Sequence, residues 1–332
     1  MAQEGARGGL PVGGPAPSGS MVSRNVLFLL VALPALAVLL SLSWGAGAPC
    51  EPTDMAAAQR PASPLYDEWR KGREAERLYW KKYLQTGGSQ WASYGDDMGS
   101  RNSPTKPYLF EDYVRRALNA EQTSANGTQR AVPLVKALDT GSGPVSKAGF
   151  NLVSMPGTRL ELVATDPLAV VYDELMNELD IVPVVRTRMV MAEELERSFA
   201  QNHFDIATMT NAIDHTANPV EVVRQLMLVT KPARPVIIEG RTNEAVGEHY
   251  IGFHQWNMAY LDGRFVFWSR PSALLRQAFG AETQLDVEQM LARQGVYLSS
   301  VECNKEAEAA GKTGQVWIRC VLTKRAAVFG PA

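Results

Sequence analysis

Two short stretches decide the fold: Leu-Val-Lys-Ala-Leu-Asp-Thr-Gly-Ser-Gly-Pro at residues 134–144 and Leu-Glu-Leu-Val-Ala-Thr-Asp-Pro at residues 160–167. Each is an apolar run that ends in an acid, Asp139 in the first and Asp166 in the second. Two glycines follow the first acid. This pattern predicts a strand, a tight glycine turn leading into a helix, and a second strand whose tip carries a carboxylate. A glycine-rich turn with a helix cap is the alternative interpretation.

The composition is that of a globular protein. The chain has 332 residues, of which 45% are hydrophobic and 20% charged, which leaves room for one sizeable α/β domain and additional segments. A net charge of −2, with no basic tract, gives no reason to expect a nucleic-acid partner. Cys50, Cys303 and Cys320 are too few for a disulfide scaffold, and none has zinc-ligand spacing to the histidines.

The N-terminal region predicts attachment to a membrane. Residues 1–24 are rich in Gly, Ala, Pro and Ser and are predicted to be a disordered arm. Residues 25–45 are almost entirely apolar and long enough for a transmembrane signal anchor. A cleaved signal peptide is the alternative, because Ala46-Gly47-Ala48 has the form of a cleavage site. A weak charge bias places the rest of the chain in the lumen of the secretory pathway, and a glycosylation sequon at 126–128 agrees with that.

Three further segments follow. Residues 46–63 are predicted to be a stalk, and residues 64–130 a helical cap with helices at 66–84 and 109–118, where apolar residues recur at helical spacing. Residues 131–332 are predicted to form the main domain.

Strand-like and helix-like runs alternate along the main domain. The predicted strands are 134–138, 160–164, 182–188, 204–209 and 236–239. The predicted helices between them are 169–178, 193–200 and 219–229. This alternation predicts an α/β fold: a doubly wound, mostly parallel, Rossmann-like sheet.

The end of the chain predicts an antiparallel hairpin. Residues 295–303 and 315–324 alternate apolar and polar side chains and are joined by a polar loop. Cys303 and Cys320 fall on the two predicted strands and could pair in an oxidising lumen. The sequence favours the other interpretation, two small unpaired buried residues.

Downstream residues resemble a known family. Phe-Asp-Ile-Ala-Thr-Met-Thr-Asn-Ala-Ile-Asp-His-Thr-Ala-Asn-Pro at 204–219 resembles the fourth strand and following loop of class I S-adenosylmethionine-dependent methyltransferases, and 222–232 resembles the next helix and turn. Residues 134–270 as a whole are similar to the type 11 group of that family. Asn-Glu-Ala at 243–245 and Gly-Phe-His-Gln-Trp-Asn at 252–257 resemble a subset of bacterial methyltransferase-like proteins.

The resemblance implies S-adenosylmethionine as the cofactor and assigns its contacts. Asp139 and the two glycines match the loop around the methionine part of the cofactor, and Asp166 matches the acid that binds the ribose hydroxyls. Glu193 lies where the family places a residue beside the adenine, and Asn211 lies next to the sulfonium. The implied cofactor-binding residues are therefore Asp139, Gly141, Gly143, Asp166, Glu193 and Asn211.

Two positions depart from the family pattern. Pro144-Val145 stands in place of a third glycine in the loop, which leaves the two closest-approach glycines intact. Ala233-Arg234-Pro235 replaces the usual Gly-Gly after Lys-Pro, which stiffens the turn before the fifth strand.

The acceptor side of the site is predicted from the loop after the fourth strand. A hydroxyl acceptor must lose its proton, and a positioned histidine can accept it. We expect His215 to be that base, with Asp214 as its orienter or a metal ligand and His254 as a second catalytic candidate. Asp214, His215 and Asn243 could together hold a divalent ion, but no spacing demands one, and none is predicted. The alternatives are that Asp214 caps the helix that begins at Pro219, and that residues 254–257 only hold a loop in place.

The sequence therefore predicts a membrane-anchored S-adenosylmethionine-dependent methyltransferase that acts on a small-molecule or glycan hydroxyl. A catalytically inactive scaffold of the same fold is the first alternative, favoured by the altered turn at 233–235. A nicotinamide-dependent oxidoreductase is the second, and Ser146 at the position of the third dinucleotide-binding glycine opposes it.

Overall fold

The computed structural model describes residues 64–94, 96–122, 133–272, 279, 284–306 and 316–325. The predicted arm at 1–24, the apolar segment at 25–45, the stalk at 46–63 and the sequon at 126–128 lie outside these residues. Within the described ranges, no helix has both the length and the apolar character needed to cross a bilayer.

Helices and strands alternate through most of the described residues. The helices, in chain order, are α1 (Pro64–Gln85), α2 (Met98–Arg101), α3 (Glu111–Gln122), α4 (Ala169–Glu178), α5 (Leu195–Ser198), α6 (Pro219–Val229), α7 (Glu244–Gly247) and α8 (Val287–Arg293). The strands are β1 (Leu134–Thr140), β2 (Arg159–Thr165), β3 (Ile206–Thr210), β4 (Pro235–Arg241), β5 (Asn257–Leu261), β6 (Arg264–Trp268), β7 (Leu285–Asp286), β8 (Leu298–Glu306) and β9 (Trp317–Lys324). Short 3₁₀ turns lie at Ser89–Tyr94, Ala192–Glu194 and Ile213–His215.

The main sheet has six strands in the order β2-β1-β3-β4-β9-β8. The first four are parallel, β9 pairs with β4 in antiparallel orientation, and β8 pairs with β9 in the same way. The chain passes from β1 outward to β2 and then back past β1 to β3, so the sheet is wound in both directions. The predicted α/β, doubly wound, mostly parallel sheet with an antiparallel C-terminal hairpin is confirmed.

Each face of the sheet is covered by a different helix. Val135 and Ala137 of β1 pack in one buried cluster with Val114 of α3 and with Tyr108 and Phe110, which precede that helix. The other face packs against α6 in the largest core cluster of the described residues. Because helices cover both faces, β3 and β4 are buried along nearly their whole length, whereas the first half of the edge strand β2 is partly exposed.

The helix predicted after the glycine turn is absent, and this part of the sequence-based prediction is wrong. Residues 141–158 connect β1 to β2 without a helical turn. Pro144 follows the second glycine directly, and Gly149, Pro156 and Gly157 interrupt the rest of the segment. Proline and glycine at this density leave no run long enough for a stable helix. The helix α3, from the N-terminal region, covers this face of the sheet instead.

Two other predicted elements differ. The strand predicted at 182–188 is not formed: only Arg188 makes a bridge, to Thr165, and Val182 is exposed. At the start of this run, the Asn102 side chain takes the place of a strand partner: it donates to the carbonyl of Val182 at 2.8 Å and accepts from the N–H of Val184 at 2.7 Å. The helix predicted at 193–200 is divided between the 3₁₀ turn at Ala192–Glu194 and the one-turn α5.

A second, smaller sheet was not predicted. The strands β5, β6 and β7 form it in that order, all antiparallel. Asp262-Gly263 joins β5 to β6, and both residues have positive φ, 49° and 79°. An Asp-Gly pair between alternating residues is a strong hairpin signal, so the sequence does contain the evidence for this element.

The N-terminal helices dock on the main domain. Trp80, Tyr83 and Leu84 of α1 share a buried cluster with Tyr172 of α4. Arg101 of α2 donates two hydrogen bonds to Asp96, at 2.7 and 2.8 Å, and a third to the backbone carbonyl of Val145 at 3.2 Å. The buried guanidinium thus ties the cap to the segment that follows the glycine turn.

Cys303 and Cys320 form a disulfide. They lie directly opposite each other in the β8–β9 register, with Cα atoms 4.1 Å apart and their sulfurs bonded. The interpretation that the sequence favoured, two unpaired buried thiols, is therefore wrong. The pairing register of the two strands places the cysteines on one cross-strand pair, which brings their side chains into contact.

Candidate functional site

The candidate site lies at one edge of the main sheet. Parallel strands end at a common edge, and in open α/β sheets ligands bind beyond the carboxyl ends of the strands. Asp139 is the penultimate residue of β1, Asp166 follows β2 directly, and Asn211 follows β3. The fold therefore brings three of the predicted cofactor residues to this edge.

The glycine turn has the shape that the sequence predicts. Gly141 and Gly143 have φ of 68° and 66°, a left-handed conformation that costs glycine no steric strain. The backbone N–H groups of Gly141 and Ser142 donate to the carbonyl of Thr165, at 2.8 and 3.1 Å. These bonds hold the turn against the end of β2.

The Asp166 carboxylate is buried and bound by the backbone. Its Oδ2 accepts a hydrogen bond from the N–H of Gly143 at 3.1 Å, and its Oδ1 accepts one from the N–H of Leu168 at 2.9 Å. Burial raises the pKa of Asp166 to about 6, against the opposing effect of these hydrogen bonds. Glu76 of α1 contributes to the increase by like-charge repulsion.

The raised pKa of Asp166 makes stability depend on pH. A carboxyl group whose pKa is raised on folding contributes stability below its unfolded pKa of ~3.9 and loses it as the pH rises through ~6. We expect the free energy of unfolding of the wild type, relative to Asp166→Asn, to increase by on the order of 2 kcal/mol as the pH falls from ~7 to ~4. Urea unfolding at several pH values measures this difference. Asp173→Asn, at a less buried acid on α4, is the matched control, and wild-type and Asp166→Asn profiles that run parallel would contradict the prediction.

Asp139 and Ser146 form a buried pair. Asp139 accepts hydrogen bonds from the hydroxyls of Ser146, at 2.6 Å, and Thr208, at 3.2 Å. Burial raises the pKa of Asp139. Ser146, which stands where a dinucleotide-binding loop has its third glycine, therefore fixes the turn to β1 through its side chain.

Trp80 of α1 lies against the glycine turn. A Cβ added to Gly143 would lie 2.6 Å from the Trp80 ring, and a Cβ added to Gly141 would lie 2.6 Å from the Cβ of Ala212. Both glycines are thus required by close packing within the protein. The polar residue types at this edge suit a bound nucleoside cofactor, but the docked α1 fills the space beside Gly143, and Asp166 is engaged by the turn.

Glu193 and Asn211 are held by backbone contacts. Glu193 is buried, and its Oε1 accepts hydrogen bonds from the N–H groups of Ala217, at 2.9 Å, and Asn218, at 3.3 Å. Asn211 has a left-handed φ of 50°, and its N–H donates to the carbonyl of Glu239 at 2.7 Å.

The three predicted catalytic residues come together next to β3. His254 Nδ1 lies 2.7 Å from Asp214 Oδ2, and His215 Nε2 lies 3.2 Å from His254 Nδ1 and 3.5 Å from Asp214 Oδ2. Asp214 is buried, whereas the side chains of His215 and His254 are 21% and 28% exposed. The carboxylate is thus the inner member of the cluster and the imidazoles face outward.

Electrostatics favour a charged pair within this cluster. Burial raises the pKa of Asp214, but His215 and His254 outweigh it, so the net shift is downward. Burial likewise lowers the pKa of His254, but the Asp214 carboxylate outweighs it and the net shift is upward. Burial and then Asp214 raise the pKa of the neighbouring Glu244.

The structure contradicts one of the alternative interpretations of these loops, that Asp214 caps the helix at Pro219. Asn218, not Asp214, caps α6: its side chain accepts a hydrogen bond from the N–H of Glu221 at 3.1 Å. Gln255 and Asn257 do hold their loop in place, through bonds that include the carbonyl of Gly252 and the N–H of Val246. His254, between these loop contacts, is the residue that bonds Asp214.

Three aromatic residues belong to the site although the sequence did not assign them to it. Trp80 lies against the glycine turn, and Tyr172 hydrogen-bonds Asp166. Phe253 lies between His215, with ring centroids 5.8 Å apart, and Trp69 of α1, on which it stacks at 5.2 Å. For Trp80, the signal in the sequence is the helical spacing of aromatic residues along α1, and that pattern favours core packing as its role.

No protein-family model and no curated protein matches the chain. Solved structures that it resembles include a Bacillus halodurans protein provisionally described as a methyltransferase, with 12% identity over 64% of this chain and 99% of that one, at a TM-score of 0.34. The trans-methyltransferase CalH, solved with S-adenosylhomocysteine, is 15% identical over 66% of this chain and 59% of its own, with a TM-score of 0.38. The carbon methyltransferase CurJ is 14% identical over 79% of this chain and 69% of its own, with a TM-score of 0.39. At scores this low, the fold assignment rests on the strand order.

Proposed function

We propose that this protein is an S-adenosylmethionine-dependent methyltransferase whose acceptor is a hydroxyl of a small molecule or glycan. The observation that carries the proposal is the convergence of the acidic and glycine residues of β1 and β2 with the Asp214–His215–His254 cluster at one edge of the sheet. The first group supplies cofactor contacts of the type 11 pattern. The Asp214–His215–His254 cluster supplies groups that can take up the proton of an acceptor bound next to the cofactor.

The cofactor, when bound, supplies an electrophilic methyl group, and the protein must place the acceptor in line with it, which contributes ~7–11 kcal/mol. The proton of a hydroxyl acceptor must also be removed. The sequence predicts His215 as the base. The geometry favours a division of roles in which Asp214 accepts the Nδ1–H of His254 and so fixes the orientation of that ring, which is the arrangement of an oriented histidine base.

Cofactor binding requires a change at α1. Trp80 must withdraw from Gly143 for the cofactor to approach that glycine. Asp166 can accept the ribose hydroxyls through lone pairs that its two backbone hydrogen bonds leave unused. We therefore propose that α1 covers the cofactor site and is displaced when the cofactor binds.

Calorimetry with S-adenosylhomocysteine tests the proposed function. We expect binding by the wild type, no detectable binding by Asp166→Ala, and binding by the control Asp173→Ala that equals the wild type. Trp80→Ala should bind more tightly than the wild type, because the ring no longer competes for the space beside Gly143. The absence of binding heat in the wild type and in Trp80→Ala would overturn the proposal.

That negative result would support the second candidate, a catalytically inactive module. The specific observation in its favour is that packing alone accounts for both glycines of the turn. Under this proposal, Trp80 is a permanent part of the core and the edge of the sheet is a binding or scaffold surface.

We further propose that residues 25–45 anchor the protein in a membrane of the endoplasmic reticulum or Golgi, with the domain in the lumen. A cleaved signal peptide would give the same luminal location. The disulfide between Cys303 and Cys320 supports that location, because such bonds persist in oxidising compartments. The luminal version requires import of the cofactor, whereas a cytosolic domain would not.

A further inference from the structure

The side chains of Asp214, His215 and His254 bring three potential ligand atoms close together. These atoms, Oδ2, Nε2 and Nδ1, lie 2.7 to 3.5 Å from one another. Within the described residues, this is the group of acids, histidines and cysteines whose geometry could hold a metal ion.

Hydrogen bonding alone accounts poorly for this convergence. His254 Nδ1 carries at most one hydrogen, which points to Asp214 when the two atoms are 2.7 Å apart. His215 Nε2 then lies 3.2 Å from the same nitrogen, so it must share that hydrogen or donate to Asp214 across 3.5 Å. A cation at the point of convergence would use the lone pairs of all three atoms.

The spacing suits an ion. At bond lengths of ~2.0–2.2 Å, two ligands of one ion are ~2.9 Å apart at a right angle and ~3.4 Å apart at a tetrahedral angle. Two of the three distances lie in or close to that range, and the 2.7 Å contact between His254 and Asp214 need lengthen by only a few tenths of an ångström.

Two imidazoles and one carboxylate select the class of metal. Mg²⁺ and Ca²⁺ prefer ligand sets made of oxygen, whereas imidazole nitrogen suits zinc, iron, cobalt and nickel. Three protein ligands with free coordination positions are typical of catalytic rather than structural sites.

The chain holds the ligands rigidly. Asp214 and His215 lie on one 3₁₀ turn, and the carbonyl of Asp214 accepts hydrogen bonds from the N–H groups of Gln255, at 3.0 Å, and Trp256, at 3.3 Å. These bonds fix the loop that carries His254 directly against the turn. The ring of Phe253 closes one side of His215.

The geometry points to a binding site for one divalent first-row transition-metal ion, coordinated by Asp214 Oδ2, His215 Nε2 and His254 Nδ1. Resting on the proposed function, the ion would bind the acceptor oxygen at a free position and lower the pKa of the hydroxyl. The two histidines then act as ligands, and the ion assumes the role otherwise given to a histidine base.

Metal binding by the full-length protein, prepared without a histidine tag and stripped with a chelator, tests the inference. We expect one Zn²⁺ per chain by calorimetry, and Co²⁺ should give visible absorption bands of a site with nitrogen and oxygen ligands. His215→Ala and His254→Ala should each weaken Zn²⁺ binding more than about tenfold. His203→Ala and His249→Ala, at the other two histidines of the chain, should leave it unchanged.

Asp214 is buried, so the substitution Asp214→Asn can disturb folding as well as metal binding. The Zn²⁺ affinity of this variant therefore counts only if its circular dichroism spectrum matches that of the wild type. The two histidine variants keep the test decisive if it does not. Absence of stoichiometric Zn²⁺ binding, or equal affinity in the variants of His215 and His254, would overturn the inference and leave the cluster as a hydrogen-bonded base. Binding of S-adenosylhomocysteine by the stripped protein would keep the proposed function intact in that case, so the two failures are distinguishable.

Discussion

Replacing Gly143 by alanine should destabilise the protein by roughly 2–5 kcal/mol, because two costs add at this position. The residue has a φ of 66°, which an L-residue adopts with strain, and its new Cβ would lie 2.6 Å from the ring of Trp80. Either the ring or the turn must shift. Chemical denaturation of the two proteins measures the loss.

Gly157→Ala is the matched control that measures the backbone strain at positive φ without a contact to Trp80. Gly157 lies in the same connection from β1 to β2, has a φ of 79°, and its added Cβ would meet nothing within 4 Å. It should therefore lose only about 1–2 kcal/mol. Equal losses at Gly143 and Gly157 would show that Trp80 does not press on the turn.

A double-mutant cycle separates the clash from the strain. Trp80→Leu shortens the side chain that meets the new methyl group, so Gly143→Ala should cost less in that background than in the wild type. The coupling between the two positions measures how firmly α1 closes the edge of the sheet. Strong coupling, together with tighter S-adenosylhomocysteine binding by Trp80→Ala, would identify α1 as the cover of a functional site.

The sequence predicts the regular elements well where periodicity is strong. The strands β1, β2 and β4 and the helix α6 begin and end within about two residues of their predicted bounds, since each is a buried apolar run with a clear punctuating residue. The Asn218-Pro219 pair is one example, in which the side chain caps α6 and the proline occupies its first turn.

The sequence fails where tertiary packing replaces a local element. The glycine turn predicts a helix after it, but the prolines and glycines at 141–158 exclude that helix and α3 covers the face. No local pattern indicates that a helix before β1 takes this place. The packing of Trp80 on Gly143 is likewise invisible in the sequence, because separation along the chain says nothing about distance in space.

The candidate catalytic group is likewise predicted only in part by the sequence. The position of Asp214 and His215 after β3 follows from the strand pattern. The approach of His254, 39 positions beyond His215, depends on the loop before β5 and on backbone bonds to the carbonyl of Asp214. The sequence therefore ranked His215 first, whereas the structure gives His254 the shortest contact with the carboxylate.

Removing the disulfide should cost about 3 kcal/mol, the value expected for a loop of about this length. Cys303 and Cys320 are 17 residues apart, and Cys320 is completely buried in β9 between β4 and β8. The bond reduces the conformational entropy of the unfolded chain and links the edge strand β8 covalently to β9. The double variant Cys303→Ala and Cys320→Ala should therefore unfold at a lower urea concentration than the oxidised wild type.

The oxidised and reduced wild type provide the matched comparison. Reductant should lower the stability of the wild type and leave the double variant unchanged, because that variant keeps only Cys50. Under denaturing conditions, alkylation before and after reduction should differ by two thiols. Identical labelling would contradict the bond and remove its support for the proposed luminal location. A bond in protein recovered from its native cells, with free thiols blocked at lysis, would favour the lumen, since cytosolic thiols are kept reduced.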